Sequence, residues 1–519
     1  MPGRRLQRPV KRLLTRGLVL AVSLALNAPM GPAVAQQNIE LPSLGEVAAD
    51  DLSPANERKL GEAIMRQVRR DPSYLDDSET RDYLQNLGFM LVSSSPARYT
   101  DFQFFAIRDS TLNAFALLGG FIGVHTGLIL TAQSESELAS VLGHEIGHIA
   151  QRHVARMLSK QKESTAIAIG ALLLALLAAR SSSSSSSAIT EAAIVGGQAA
   201  AIQQQLNFSR EAEREADRIG FQILVDGGFD PRAMATFFGR MQQGTRIYES
   251  AAPEYLRSHP LTSDRMADIQ SRLRETRTRQ RPDSLDFQLV RARLRVLQDD
   301  TVQGARDAVA FFNAALRPDG SGADAVAYYG LAVAQLKLGE ADAAAAAAQN
   351  ARSRTRATSP MLDKIVSETR FVAAKTPEAQ AAALTMARDA VGRFPVSRLT
   401  ALHYVDLLQR SGRHDEVVNF LREQLALPRT DTAYYALLAR SYAALNKKTL
   451  QHQATAEAYF QYGALQAAIE QLNFARRAND ADYYVLSEVD ARQRELQQRL
   501  KEERIEAGKE RRPSEEKKK

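Results

Sequence analysis

Three stretches in the carboxy-terminal half of this 519-residue chain repeat one pattern. Ala327-Tyr328-Tyr329-Gly330-Leu331-Ala332-Val333-Ala334 leads into Leu338-Gly339-Glu340. Leu402-His403-Tyr404-Val405-Asp406-Leu407-Leu408 leads into Ser411-Gly412-Arg413, and Ala433-Tyr434-Tyr435-Ala436-Leu437-Leu438-Ala439, then Tyr442, into Leu445-Asn446. Each reads as an aromatic and aliphatic helix, a turn at Gly or Asn, and a second helix of small residues. Units of this kind cannot bury their apolar faces alone and must stack on their neighbours. That requirement predicts an all-α superhelix over residues 281–500.

The unit matches the helix–turn–helix of a tetratricopeptide array; generic α-hairpins would give a similar pattern. Residues 36–280 read differently. Asp101 to Ile107 and Gly119 to Ile129 carry the aromatic, β-branched and glycine residues of strands and their turns. Long helical segments, Glu135 to Leu158 and Arg210 to Leu224, surround them. The expected fold is mainly α: an α+β domain of helices and a small sheet, followed by the all-α repeats. Residues 501–519 are mostly charged and predict a solvated tail.

The net charge of +7, from 67 Lys+Arg against 60 Asp+Glu, suggests a nucleic-acid binder until it is located. Arg4, Arg5, Arg8, Lys11, Arg12 and Arg16 precede an apolar run from Leu18 to Leu26 and the small-x-small site Ala33-Val34-Ala35. This is the layout of a secretory signal peptide over residues 1–35, and its apolar run is too short for a membrane span. Without it the chain is nearly neutral, so no nucleic-acid partner is expected. An exported chain meets an oxidising compartment, and this one has no Cys. The same absence excludes disulfides, thiol catalysis and Cys-ligated metals. Two segments stand apart by composition. Ser181 to Ser187 reads as a flexible linker. Ala166 to Ala179, 14 small and apolar residues, suits a core helix, or a lid or membrane-touching helix beside the active site.

The chemistry lies in His144-Glu145-Ile146-Gly147-His148. Positions i and i+4 are about 40° apart on a helix, so both imidazoles can reach one Zn²⁺. Glu145 sits beside them as the general base that takes a proton from the attacking water. A third ligand is needed, and Glu211, Glu213, Glu215 and Asp217 cluster downstream. Glu213 and Asp217 share a helix face, whereas Glu215 is about 200° from Glu213. Glu213 is therefore assigned to the metal, and Asp217 to orienting a ligand imidazole. His153, nine residues past His144, would lie about 180° around a continuous helix and could not join the same ion. His125, His403, His414 and His452 read as surface or packing residues.

His144-Glu145-x-x-His148 with Glu213-x-x-Ala216-Asp217 resembles the gluzincin endopeptidases of the CAAX-prenyl-protease and HtpX type. Asn113-Ala114-Phe115-Ala116-x-x-Gly119-Gly120 resembles that family's edge strand, which pairs with substrate; many members carry proline where Leu118 stands. The order of leader, soluble catalytic domain and repeats is similar to that of periplasmic members. The resemblance implies a zincin-type metalloprotease fold for the α+β domain, one Zn²⁺ per chain, a substrate strand at Asn113 and Ala114, and unfolded or misfolded outer-membrane proteins as clients. It implies that the repeats dock the outer-membrane barrel assembly machinery. It also implies that His259, in Ser258-His259-Pro260, can take the fourth zinc position and hold the enzyme latent, with Arg265 supporting the site. A latent protease acting mainly as a scaffold or chaperone is the alternative. An integral-membrane protease is disfavoured, since no stretch beyond the leader approaches the 18–20 apolar residues of a span.

Overall fold

The helix that bears the His144 motif is the centre of the fold. In this computed structural model, which describes residues 53–97, 100–159, 209–247, 254–316, 324–427 and 432–510, every residue from Glu135 to His148 is buried. The leader, Ala166–Ala179 and the serine run lie outside the described residues. In chain order the first half comprises α1 (Pro54–Val68), β1 (Tyr74–Leu75), α2 (Ser78–Ser93), β2 (Gln103–Ile107), β3 (Ala114–Leu117), β4 (Phe121–His125), α3 (Thr126–Thr131), α4 (Glu135–Ala150) and α5 (His153–Ser159). It continues with α6 (Arg210–Asp226), α7 (Arg232–Ile247), α8 (Glu254–Ser258) and α9 (Ser263–Glu275). Side-chain caps set the helix starts: Ser134 accepts from the Glu137 N–H, Ser209 from Ala212, and Thr262 from Arg265.

The sheet has the order β1-β2-β4-β3, with β2 and β4 parallel and the other two pairs antiparallel. Thus β3 is an edge strand among the described residues. The turn from β3 into β4 needs its glycines: Gly119 and Gly120 have φ of 75° and 90°, and a Cβ on Gly120 would meet Asp101 O at 2.4 Å. The strand expected over Gly119 to Ile129 ends early, at His125. Thr126 Oγ1 donates to Asp109 O at 2.9 Å and turns the chain into α3.

The helix expected to run to Leu158 also breaks. Arg152 takes φ 52°, a left-handed conformation rare for a non-glycine residue, and its Nε donates to Glu57 on α1 at 2.7 Å. The second helix begins afresh at His153.

From Leu285 the chain is helical throughout the described residues, α10 (Leu285–Leu297) to α21 (Tyr483–Glu510), stacking each helix on the next. The turns read from the repeats fall where expected: Gly339, Gly412 and Asn446 have φ of 78°, 71° and 57°. The last helix reaches Glu510, into the stretch expected to be a solvated tail. One apolar core runs without a gap from Tyr83, Leu142 and Phe221 through Phe287 and Tyr329 to Leu399, so residue 280 marks no break in packing. Buried ion pairs cross the same seam. Arg293 on α10 bonds Asp77 at 2.6 Å and Glu79 at 3.0 Å. Burial alone would raise the Asp77 pKa, but Arg293 more than offsets this and holds the carboxylate well below its usual range.

Candidate metal centre

Helices α4 and α6 run antiparallel and touch through small residues. A Cβ on Gly147 would meet Ala216 O at 2.8 Å, and one on Gly220 would meet His144 N at 2.8 Å. This close approach sets His144 and His148 against Glu213 and Asp217. With His259, the first three form a fully buried group whose donor atoms all lie within 4.8 Å of one another. The ring Nε2 atoms of His144 and His148 are 3.0 Å apart, and Glu213 oxygens are 3.5 and 3.4 Å from them. His259 Nδ1 sits 2.9 Å from Glu213 Oε1 and 3.4 Å from His144 Nε2, at a fourth corner.

Hydrogen bonds behind the ligands fix their tautomers. His144 Nδ1 is 2.9 Å from Asp217 Oδ1, so it donates there and leaves the Nε2 lone pair facing the cage. Arg265, 2% exposed, holds Asp217 through Nε at 2.6 Å and Nη2 at 2.8 Å, and its Nη1 lies 2.7 Å from Glu213 Oε2. Sequence reasoning missed the matching arrangement on the other ligand. His148 Nδ1 is 2.9 Å from His153 Nδ1, whose Nε2 is 3.1 Å from Glu215 Oε2. With His148 donating to His153 and His153 to Glu215, the His148 Nε2 lone pair also points inward. His153 stays outside the cage as expected. The reason differs, because the break at Arg152 folds it back against His148 rather than leaving it on the helix's far side.

The two carboxylates give the cage a preference for positive charge, which with no ion bound is met by a proton on His144. Burial would lower the His144 pKa, but its bonds to Asp217 and Glu213 raise it to about 9. Burial holds His148 well below its usual range. Burial would raise Glu213, yet His259, His144 and His148 hold it well below the carboxylate range. Glu145 goes the other way, raised by burial against the pull of His259 and His144. The Ala116 backbone is its one hydrogen-bonding neighbour among the described residues, and His259 Nε2 lies 3.6 Å from Oε1. A buried carboxylate with no side-chain hydrogen bond fits a metal centre, where a water would supply one. The residues present therefore suit a divalent ion held by His144, His148 and Glu213.

Asn113 precedes β3, and Ala114 opens it, beside α4. Leu118 is buried in the turn after the strand. Of the remaining histidines, His125 and His403 are buried, the latter 2.8 Å from Ser367 Oγ.

Relatives agree with this geometry. The sequence model of peptidase family M48 matches residues 78–273. The beta-barrel assembly-enhancing protease of Escherichia coli is 31% identical over 501 residues, 95% of this chain and 99% of that protein. A Vibrio cholerae relative of similar name is 40% identical over 276 residues, 52% of this chain and 55% of its own. The mitochondrial metalloendopeptidase OMA1 of Arabidopsis thaliana is 29% identical over 202 residues, 38% of each chain. A metalloprotease with its helical array, this chain belongs to the family of the beta-barrel assembly-enhancing proteases.

Proposed function

We propose that the chain is a periplasmic zinc endopeptidase that removes misfolded outer-membrane proteins during barrel assembly, and that His259 holds it latent. The observation carrying this reading is Glu145: a fully buried carboxylate with no side-chain hydrogen bond, beside a cage of two imidazoles and a carboxylate. A Zn²⁺ held there by His144, His148 and Glu213 would polarise the scissile carbonyl and acidify the attacking water. Glu145, its pKa raised by burial, takes that water's proton and returns it to the leaving amine. Asp217, gripped by Arg265, keeps His144 oriented. Asn113 leads into and Ala114 opens the edge strand to which an extended client adds, and only unfolded chains can pair in that way. The helical array recruits clients or the barrel assembly machinery, in line with the names of the relatives.

His259 is 3.6 Å from Glu145 and 2.9 Å from Glu213, at the fourth corner of the cage, which an attacking water would otherwise take. That placement favours a resting enzyme that binds clients more often than it cuts, so a scaffold or chaperone role accompanies the protease. His259→Ala should digest an unfolded outer-membrane protein several times faster than the parent and spare its folded form. Unchanged or slower digestion, with the metal retained, would count against the latch.

A further inference from the structure

A second group of ligand-type residues lies outside the cage. Asp109 follows β2, His125 ends β4 and Glu254 opens α8, yet each offers one donor atom within 4.8 Å of the others. His125 and Glu254 are 2% and 8% exposed. The Thr111 hydroxyl sits among them, 2.9 Å from His125 Nδ1 and 3.2 Å from Glu254 Oε2. Asp109 Oδ2 is 3.7 Å from His125 Nδ1, and the Thr111 N–H holds the other Asp109 oxygen at 2.8 Å. Metal–ligand bonds of about 2.1 Å place neighbouring ligands roughly 3.0–3.4 Å apart. The Asp109–His125 separation of 3.7 Å is close to that range, and the Glu254 oxygen, within 4.8 Å of both, would move in on binding. One imidazole among carboxylate and hydroxyl oxygens suits a first-row divalent cation such as Mn²⁺.

The position of this group matters as much as its chemistry. Glu254 is followed by Tyr255, whose N–H donates to Leu112 O at 3.2 Å. The Tyr255 ring stacks on His259 with centroids 4.7 Å apart, and His259 N donates to Tyr255 O at 2.9 Å. His125 N donates to Asn113 O at 3.0 Å, at the head of β3. One turn of helix thus links this group to the residue that stands over Glu145.

We propose that Asp109, His125 and Glu254, with Thr111, form a second divalent-cation site, and that an ion there clasps α8 to the sheet and keeps His259 in the catalytic cage. The regulatory half rests on the latent-protease reading above; the site itself does not. An ion that binds only the clasped state shifts that equilibrium about a hundredfold at 100 times its Kd.

Mn²⁺ is the probe, because it binds more weakly than zinc and so leaves a zinc-loaded cage intact. Electron paramagnetic resonance on the full zinc-loaded chain should count one bound Mn²⁺. Glu254→Gln and Asp109→Asn, both isosteric, should each lose it while keeping one zinc. Mn²⁺ should also slow cleavage of an unfolded peptide at least tenfold in the parent and not in Glu254→Gln. No bound Mn²⁺, or equal binding by both variants, overturns the site. Binding without any change in cleavage overturns the clasp. Absence of zinc, or of all cleavage by the chain carrying His259→Ala, would instead defeat the protease reading.

Discussion

Gly147 is where the geometry of the cage can be tested by adding a single methyl group. In an ordinary helix interior Gly→Ala stabilises by about 1 kcal/mol. At Gly147 the new Cβ would lie 2.8 Å from Ala216 O and 3.0 Å from Ala216 Cα, where ordinary contact begins at 3.4 Å. Both are backbone atoms, so α6 must back away from α4 by about half an ångström, the full positional tolerance of such a site. Overpacking of this kind costs about 1–3 kcal/mol, which cancels or exceeds the propensity gain. Glu213 and Asp217 ride on α6, so the cage opens with it. Gly147→Ala should weaken metal binding and slow cleavage by roughly tenfold or more, measured by competition with a chelator and by peptide digestion in a His259→Ala background. Gly239 on α7 is the control, since nothing lies within 4 Å of its Cβ position. Gly239→Ala should leave metal affinity unchanged and raise stability by up to about 1 kcal/mol. Parent-like metal affinity and cleavage in Gly147→Ala would refute the reasoning.

Two further perturbations follow from buried groups. His153→Ala removes the acceptor that fixes the His148 tautomer and should weaken metal binding about 10- to 100-fold, whereas an unchanged chelator titration would show that His153 only packs. Asp82, buried where α2 meets the repeats, has its pKa raised by burial to about 6, despite Ser397 and Arg398, from an unfolded value of 3.8. The folded state therefore favours the protonated carboxyl: this contribution is fully present below the unfolded pKa and is lost as pH rises through about 6. Asp82→Asn should gain stability over the parent at pH 7.5, by up to about 3 kcal/mol, and little at pH 4. Equal shifts in urea midpoint at both pH values would contradict this.

Much of the site could be read directly because its signals are local. His144, Glu145 and His148 share one helical turn, and Glu213 and Asp217 another, so spacing alone sorted their faces. The repeat turns were equally legible, since only Gly or Asn enters a left-handed turn cheaply. What escaped the reading was set by tertiary contact. Nothing in Gln151-Arg152 resembles a helix stop; the break depends on Glu57, far away on α1. His153 was consequently placed on the wrong side of a helix that does not continue. Asp109, His125 and Glu254 come together only after the sheet has formed and α8 has docked. The continuous core was hidden too, because Phe287, Leu289 and Leu294 carry the same apolar pattern whether they face the next repeat or the catalytic domain. A truncation near residue 280 would strip that core and cannot separate the two halves' roles.

On the proposed function, Glu145 performs peptide hydrolysis beside a metal held by His144, His148 and Glu213. The direct test digests an unfolded outer-membrane protein with chains carrying Glu145 or Glu145→Gln at matched zinc content, both in the His259→Ala background so that the proposed latch is absent. Cleavage confined to the chain retaining Glu145, with one zinc in each, is the predicted result. Equal cleavage by both chains would remove Glu145 from the reaction, and cleavage by neither, with zinc bound, would leave the chain a metal-containing scaffold.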